Sequence, residues 1–436
     1  MKDSADFKYR LVYAAILTLC VAEMLWMVLP GPFYPDDSNT VGYYFTDVLS
    51  YRHAADNMAS GIVDPLRTPT YPLLILLMRS FVPETHLDAA LQIFQGVFFL
   101  VSVEIFRRLC LRFMRPWPAL IMTALYALLP GMLIWVKVCI SDCTGLVLTV
   151  IWLWLLTRDH GARLRVSTAL WSSLTLILMV FLRPIFICLL PVTAVYIVNV
   201  WRRARRGAVA LTAGTLACIV LLMAYRAEVH RLYGLHSFTN VTSFNNMCLL
   251  GEAGLLKEED AATPAEKEQL HRIITTGDTV TTDPLYIRCR WWYEMLPPQE
   301  FEEICTRCMR RDPAGVARAL VDRFYTRTWR YPTMLRVNQP PYLSLERTYI
   351  PRVSWLVLFY AASGAVLLAM TYRRRNPSQT WLLWLTGMSV IAASVIGAMA
   401  DWDRLLVPAY PATLVLIGAM LSCFKFKKST DGEDDF

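Results

Sequence analysis

The sequence predicts an all-α polytopic membrane protein: about ten transmembrane helices, short interfacial helices in the first extracytoplasmic loop, and a mostly helical extracytoplasmic insert. Three observations predict it. Of 436 residues, 56% are hydrophobic and 18% charged, and the mean hydropathy of +0.39 suits lipid rather than water as the solvent. Ten apolar runs stand between charges or prolines, and a hydrocarbon core of about 30 Å takes about 20 helical residues, fewer where flanking charges snorkel. Basic residues cluster between alternate runs, as the positive-inside rule requires. Collagen-like, disordered and small disulfide-scaffold classes are excluded by the same composition.

The runs lie near Leu11–Leu29, Ala89–Phe106, Pro118–Val136, Cys143–Leu156, Val166–Leu182, Ile185–Trp201, Ala208–Tyr225, Val353–Met370, Trp381–Ala398 and Leu405–Phe424. Tyr71–Val82 is apolar but too short to span. Counting it as a span would throw five of six basic clusters to the side opposite the first, so it is expected to be a half-inserted or interfacial helix. The clusters are then Lys2/Lys8/Arg10, Arg107/Arg108/Arg112/Arg115, Arg158/Arg163/Arg165, Arg202/Arg203/Arg205/Arg206, Arg373/Arg374/Arg375 and Lys425/Lys427/Lys428. They hold 20 of 43 basic residues, so the +8 net charge is a topology signal and leaves nothing for nucleic acid to explain. The first run is long and lacks a small-residue cleavage site, which predicts an anchor rather than a signal peptide. Both termini are expected in the cytoplasm and the protein in the plasma (inner) membrane. The predicted organisation is an N-terminal membrane module, 1–225, with a catalytic first loop at 30–87, an insert at 226–352, C-terminal membrane helices at 353–424 and a cytoplasmic tail at 425–436.

The insert carries 17 basic and 16 acidic residues, and helices are expected over Pro264–Ile274, Asp283–Glu294, Pro298–Arg310 and Pro313–Tyr325, each with Pro or Asp near its start. Of the 11 cysteines, seven lie in or beside apolar runs, where thiols pack as small hydrophobes. The other four, Cys248, Cys289, Cys305 and Cys308, fall in the insert, where the compartment permits disulfides, and two bridges are expected with the connectivity open. No second Cys-x-x-Cys or spaced His pair accompanies Cys305/Cys308, so a zinc site is not expected.

Charges beside membrane spans cost about 2.5–3.5 kcal/mol even on lenient scales, so those at the extracytoplasmic ends need a reason. They are Asp36, Asp37, Asp47, Arg52, His53, Asp56, Asp64 and Arg67 in the first loop, Lys137 and Asp142 after the third span, Arg183 before Pro184, and Asp401, Asp403 and Arg404 before the last span. Ten spans put all of them on one side. Fixed cations at Arg67, Lys137, Arg183 and Arg404 suit a phosphate or diphosphate, and isolated carboxylates suit a general base. A sugar phosphate carried on a lipid fits both.

Asp47-Val-Leu-Ser-Tyr51-Arg-His-Ala54, then Gly61, then Arg67-Thr-Pro69-Thr-Tyr71-Pro72, resembles the first-loop pattern of the GT-C superfamily of membrane glycosyltransferases, of the dolichyl-phosphate-mannose protein mannosyltransferase and aminoarabinose transferase type. Leu129-Pro130 with Ile140-Ser141-Asp142 is similar to the family's Pro and Ser-Glu segment, with Asp for Glu. Leu182-Arg183-Pro184 with Pro191 resembles its Arg-Pro helix break, and Arg404-Leu-Leu-Val-Pro408-Ala-Tyr-Pro411 its Arg-Tyr-Leu-Leu-Pro segment, with Leu405 for Tyr. The resemblance implies an inverting transferase that takes a sugar from a polyprenyl-phosphate donor to a glycan, lipid or protein acceptor, with a first-loop Asp as base. Residue chemistry and resemblance together give Asp47 and Asp142 as catalytic candidates, with Asp36 or Asp37 as alternatives for the base, Arg67, Lys137, Arg183 and Arg404 as donor-phosphate ligands, and Tyr51, His53 and Asp403 as substrate-orienting residues. A divalent cation, Mg²⁺ or Mn²⁺, is an open cofactor that no ligand spacing demands.

Each residue also has a plainer reading. Asp47 suits the N-cap of a helix over Val48–Asn57, and Asp142 that of the fourth span. Lys137 and Arg183 suit snorkelling helix ends, Asp401 and Asp403 a local ion pair with Arg404, and His53 a structural role. Two other functions compete: a transporter or flippase of lipid-linked saccharides, and a polymerase or ligase using a polyprenyl-diphosphate donor. The insert resembles nothing named, so sugar and acceptor stay open.

Overall fold

The computed structural model describes residues 2–28, 45–158, 164–275, 297–328, 353–372, 378–397 and 404–423. Among them there is no strand. In chain order the helices are α1 (Lys2–Val28), α2 (Phe45–Ala59), α3 (Thr70–Arg79), α4 (Leu87–Phe113), α5 (Pro116–Leu128), α6 (Pro130–Lys137), α7 (Ser141–Arg158), α8 (Val166–Val180), α9 (Leu189–Val200), α10 (Arg205–Tyr233), α11 (Asn240–Glu252), α12 (Pro264–Thr275), α13 (Pro298–Arg311), α14 (Pro313–Thr328), α15 (Val353–Tyr372), α16 (Ser378–Gly397) and α17 (Tyr410–Cys423). Tight 3₁₀ turns at Pro184–Cys188 and Arg404–Ala409 lead into α9 and α17.

Over its described residues each of the ten apolar runs is occupied by one or two helices. Among the described residues six helices are long and apolar enough to cross a membrane, or seven when α5 and α6, bent by 44°, count as one span. Shorter apolar helices, α8 and the Pro184–Val200 pair, fill the remaining runs together with α7. The short helix expected at Tyr71–Val82 is α3, ten residues long.

The breaks follow from proline. Leu129 precedes Pro130 and Arg183 precedes Pro184; proline's ring clashes with an α-conformation at the preceding residue, and both are extended, at φ −71°, ψ 115° and φ −153°, ψ 134°. α7 is the central helix: all but three of its 18 residues are buried, against α4, α8, α17 and the Arg404 turn. A helix apolar all round belongs in the middle of a bundle. α10 lies outside, packed on α8 and α9, with Leu216, Val220 and Met223 exposed on its other face. At the start of α10 the backbone comes so close to the segment leading into α8 that a Cβ on Gly207 would collide with the Leu164 carbonyl.

α10 also runs past the boundary drawn at 225, because Arg226, Glu228 and Arg231 continue the helix, with Glu228 and Arg231 paired three residues apart. It ends at Gly234, whose φ of 68° is the left-handed cap that glycine adopts without strain. In the insert, α12, α13 and α14 match three of the expected helices; Asp283–Glu294 lies outside the described residues, and α11 was not anticipated. A separate small core gathers Met247, Leu250, Leu270, Phe301 and Ile304. The expected disulfides are corrected: no disulfide joins cysteines among the described residues, and Cys289 lies outside them. Cys305 and Cys308 sit buried on α13 inside that core, where Cys305 Sγ donates to the Ser243 carbonyl (3.4 Å) and Cys308 Sγ to the Asp260 carboxylate (3.1 Å). They pack as small hydrophobes with a weak donor, the role expected only of the membrane cysteines.

Candidate active site

Four chain segments far apart in sequence meet at one end of the bundle. α2 carries Asp47 in its first turn, two residues inside the helix rather than at its N-cap. Asp47 Oδ1 takes Arg67 Nη2, and Asp47 Oδ2 takes Arg404 Nη1 at 2.9 Å. Arg404 Nε lies 3.4 Å from Asp142 Oδ1, and the same oxygen accepts from Arg183 Nη1. The result is an alternating chain, Arg67–Asp47–Arg404–Asp142–Arg183, with three guanidinia against two carboxylates and so one positive charge in excess.

Local structure fixes each member. Asp64 Oδ1 accepts the backbone N–H groups of Leu66 and Arg67, both at 2.8 Å, while Asn57 Nδ2 holds its other oxygen at 2.9 Å. This carboxylate-built turn aims Arg67 back at α2, where Nε donates to Ser50 Oγ (2.7 Å) and the guanidinium lies 4.5 Å over the Tyr51 ring. Asp142 sits in the first turn of α7 because the α6–α7 break ends beside it, and Arg183 is extended because Pro184 follows. Arg404 opens the 3₁₀ turn whose Pro408 keeps the chain from starting an ordinary helix there.

Burial raises a carboxyl's pKa, but at Asp47 Arg67 and Arg404 outweigh it and hold the group well below the usual carboxylate range. Asp142 is almost wholly buried, and its Oδ2 has no hydrogen-bond donor among the described residues. No described residue fills that lone pair, which is open to a further donor.

The structure thus brings together Asp47, Asp142, Arg67, Arg183 and Arg404. Tyr51 adjoins them, its hydroxyl 2.6 Å from Ser141 Oγ. Lys137 is buried at the end of α6, its carbonyl held by Gln92 (2.9 Å). His53 is not brought in: it is exposed, on the side of α2 away from buried Tyr51 and Ala54. Asp36, Asp37, Asp401 and Asp403 lie outside the described residues. Arg52 and Asp56, first-loop charges, pair instead with Asp88 and Arg79. Sequence reasoning passed over Ser50 and Gln95 and gave Asp64, Tyr71 and Ser141 no role of their own; the readable signal for Gln95 was an amide inside a mostly apolar run. For a divalent cation the donor set is a poor match, since the place between the two carboxylates holds the Arg404 guanidinium, and among the described residues no cluster of three His, Cys, Asp or Glu forms.

No family model and no curated protein matches the chain. Among solved structures it is similar to the archaeal oligosaccharyltransferase AglB of Archaeoglobus fulgidus in complex with an inhibitory peptide and a dolichol-phosphate, at 13% identity and a TM-score of 0.49, covering 94% of this chain and 50% of that one. The apo form of the Archaeoglobus fulgidus enzyme gives 12% identity and a TM-score of 0.48, covering 93% of this chain and 50% of that one. This chain spans about half the length of those proteins. A likeness at this level assigns neither an activity nor a substrate to it.

Proposed function

We propose that the chain is a membrane glycosyltransferase of the GT-C type, moving a sugar from a polyprenyl-phosphate donor to a glycan, lipid or protein acceptor on the extracytoplasmic face, with inversion. The observation that supports this reading is the alternating ion chain: a carboxylate held between arginines from the first loop and the last span, at one end of a helix bundle.

The chemistry suits those residues. A lipid-phosphate sugar carries one negative charge, and its leaving group, polyprenyl phosphate, develops a second as the sugar C1–O bond breaks. Arg67, Arg404 and Arg183, already fixed by their carboxylates, are aimed where that charge grows. The acceptor oxygen attacks C1 from the opposite face, its proton passes to Asp47, and the electron pair of the broken bond leaves on the phosphate oxygen. In the resting chain Asp47 is a weak base because two arginines neutralise it; a phosphate that draws them off restores its basicity. A divalent cation, if the enzyme uses one, would add charge neutralisation at the phosphate.

The test is carrier release. Purified protein in detergent or vesicles is given radiolabelled polyprenyl-phosphate sugars and an envelope extract as acceptor, with and without Mg²⁺ or Mn²⁺. Release of polyprenyl monophosphate by wild type and its collapse in Asp47→Asn support the reading. Release of polyprenyl diphosphate, or sugar transport with no carrier released, contradicts it.

A further inference from the structure

Gln95 uses both ends of its amide inside the bundle. It lies fully buried on α4, in a mostly apolar run. Its Nε2 reaches the carbonyls of Val136 (3.1 Å), Val138 (3.2 Å) and Trp135 (3.5 Å), and its Oε1 accepts the Tyr71 hydroxyl at 3.2 Å. Those carbonyls belong to the last turn of α6 and to the break that follows it, where the helical ladder stops; non-helical backbone at membrane depth survives only where protein satisfies it. Asp142 begins immediately after the break. Tyr71 packs edge-on against Tyr51 at 5.0 Å, and Tyr51 in turn carries Arg67 on its ring and Ser141 at its hydroxyl. One amide therefore touches both supports of the ion chain: the backbone that sets Asp142, and the tyrosine pair that sets Arg67.

We infer that Gln95 is the positioning residue of this site, holding the Asp142 and Arg67 halves of the ion chain in register through the α6–α7 break and the Tyr71–Tyr51 pair. The inference rests on the transferase reading for its effect on turnover, but not for its effect on structure. Two cysteines flank the break and report on it without any substrate: Cys139, buried with Sγ 3.6 Å from the Asp88 carbonyl, and Cys143, buried with Sγ 3.7 Å from the Gln95 carbonyl.

The experiment compares wild type, Gln95→Leu and Gln95→Glu, reading maleimide labelling of Cys139 and Cys143 by peptide mass mapping alongside donor turnover. Leu keeps the apolar bulk and removes every hydrogen bond. Labelling of Cys139 is expected to rise about tenfold, through easier local opening. The kcat is expected to fall about 10- to 100-fold, with the KM for donor changed less than about twofold, since misplaced groups cost chemistry more than binding. Glu, when protonated, still donates one hydrogen bond and accepts another, so Gln95→Glu should keep part of the activity and lose it as pH rises through its titration, a limb wild type lacks. Unchanged protection of Cys139 in Gln95→Leu overturns the inference whatever turnover does. Lost protection with wild-type kcat also overturns it, leaving Gln95 structural alone. If wild type turns over no donor, the transferase reading has failed; unchanged protection still overturns the inference, and lost protection supports only the part of it that concerns the α6–α7 break.

Discussion

Two buried arginine–carboxylate networks, one at the end of the bundle and one in the insert, use the same residue types to different ends. In the insert, Asp260 Oδ2 takes Arg311 Nη1, the Cys308 thiol and the Lys257 backbone N–H, and the Asp260 carbonyl takes Arg307 Nε. Arg307 Nη2 completes the set on Glu266, which also caps the Ala262 N–H. Nearly all partners come from helix ends within the small core, and among the described residues no buried oxygen of Asp260 or Glu266 is left without a partner: this network holds α12 and α13 together. The bundle network joins segments up to 357 positions apart and leaves Asp142 Oδ2 without a donor among the described residues. A saturated network fixes a fold; one that assembles distant segments and keeps a buried lone pair unspent is arranged for something else.

Substitutions should separate the two. The largest effect is expected for Asp47→Asn, an isosteric change that lowers carrier release by about 10²- to 10⁴-fold, measured on the folded fraction because the loss of its two ion pairs also lowers the melting temperature at neutral pH. Arg404→Gln, which unlinks both carboxylates at once, is expected to cost about 10²- to 10³-fold in kcat, measured in the same release assay. Asp260→Ala in the insert should do the reverse: a loss of about 3 kcal/mol in stability by denaturant or thermal melting, because Arg311 and Arg307 lose their partner, with the specific turnover of the folded fraction unchanged.

Acid should sharpen the contrast further. Asp47 binds a proton less readily folded than unfolded, so its contribution to stability is complete above the ordinary carboxylate pKa of about 4 and drains away as pH falls below it. Thermal melts between pH 6 and pH 3 should therefore fall less steeply for Asp47→Asn than for wild type. The smallest effect belongs to Cys308, whose thiol is pushed up to about 12 by burial and by the adjacent Asp260 carboxylate. In the native protein it should stay unalkylated by iodoacetamide at pH 8 and react once the insert is unfolded.

Much of this was legible in the sequence. Apolar length and the alternation of basic clusters located all ten helical runs, because lipid imposes one solution on each. Leu129-Pro130, Arg183-Pro184 and Pro408 announced the breaks, since proline's constraints are local. What could not be read was pairing: Arg67, Arg183 and Arg404 looked like open cations, and only their convergence on Asp47 and Asp142 shows that each already has a carboxylate. Gln95 and Asp64 were hidden for the same reason, their roles being to serve backbone that folds back from elsewhere. The insert cysteines misled because an even count in a permissive compartment says nothing of burial within one small core.

The central claim is that Asp47 and a lipid phosphate compete for the same arginines. Its most direct test is the affinity of the purified protein for polyprenyl monophosphate, by titration of wild type, Asp47→Asn and Arg404→Gln. The account predicts opposite signs: Asp47→Asn binds more tightly, because Arg67 and Arg404 are released to the ligand, and Arg404→Gln binds more weakly. Weaker binding by Asp47→Asn, or equal affinities for all three, would contradict it.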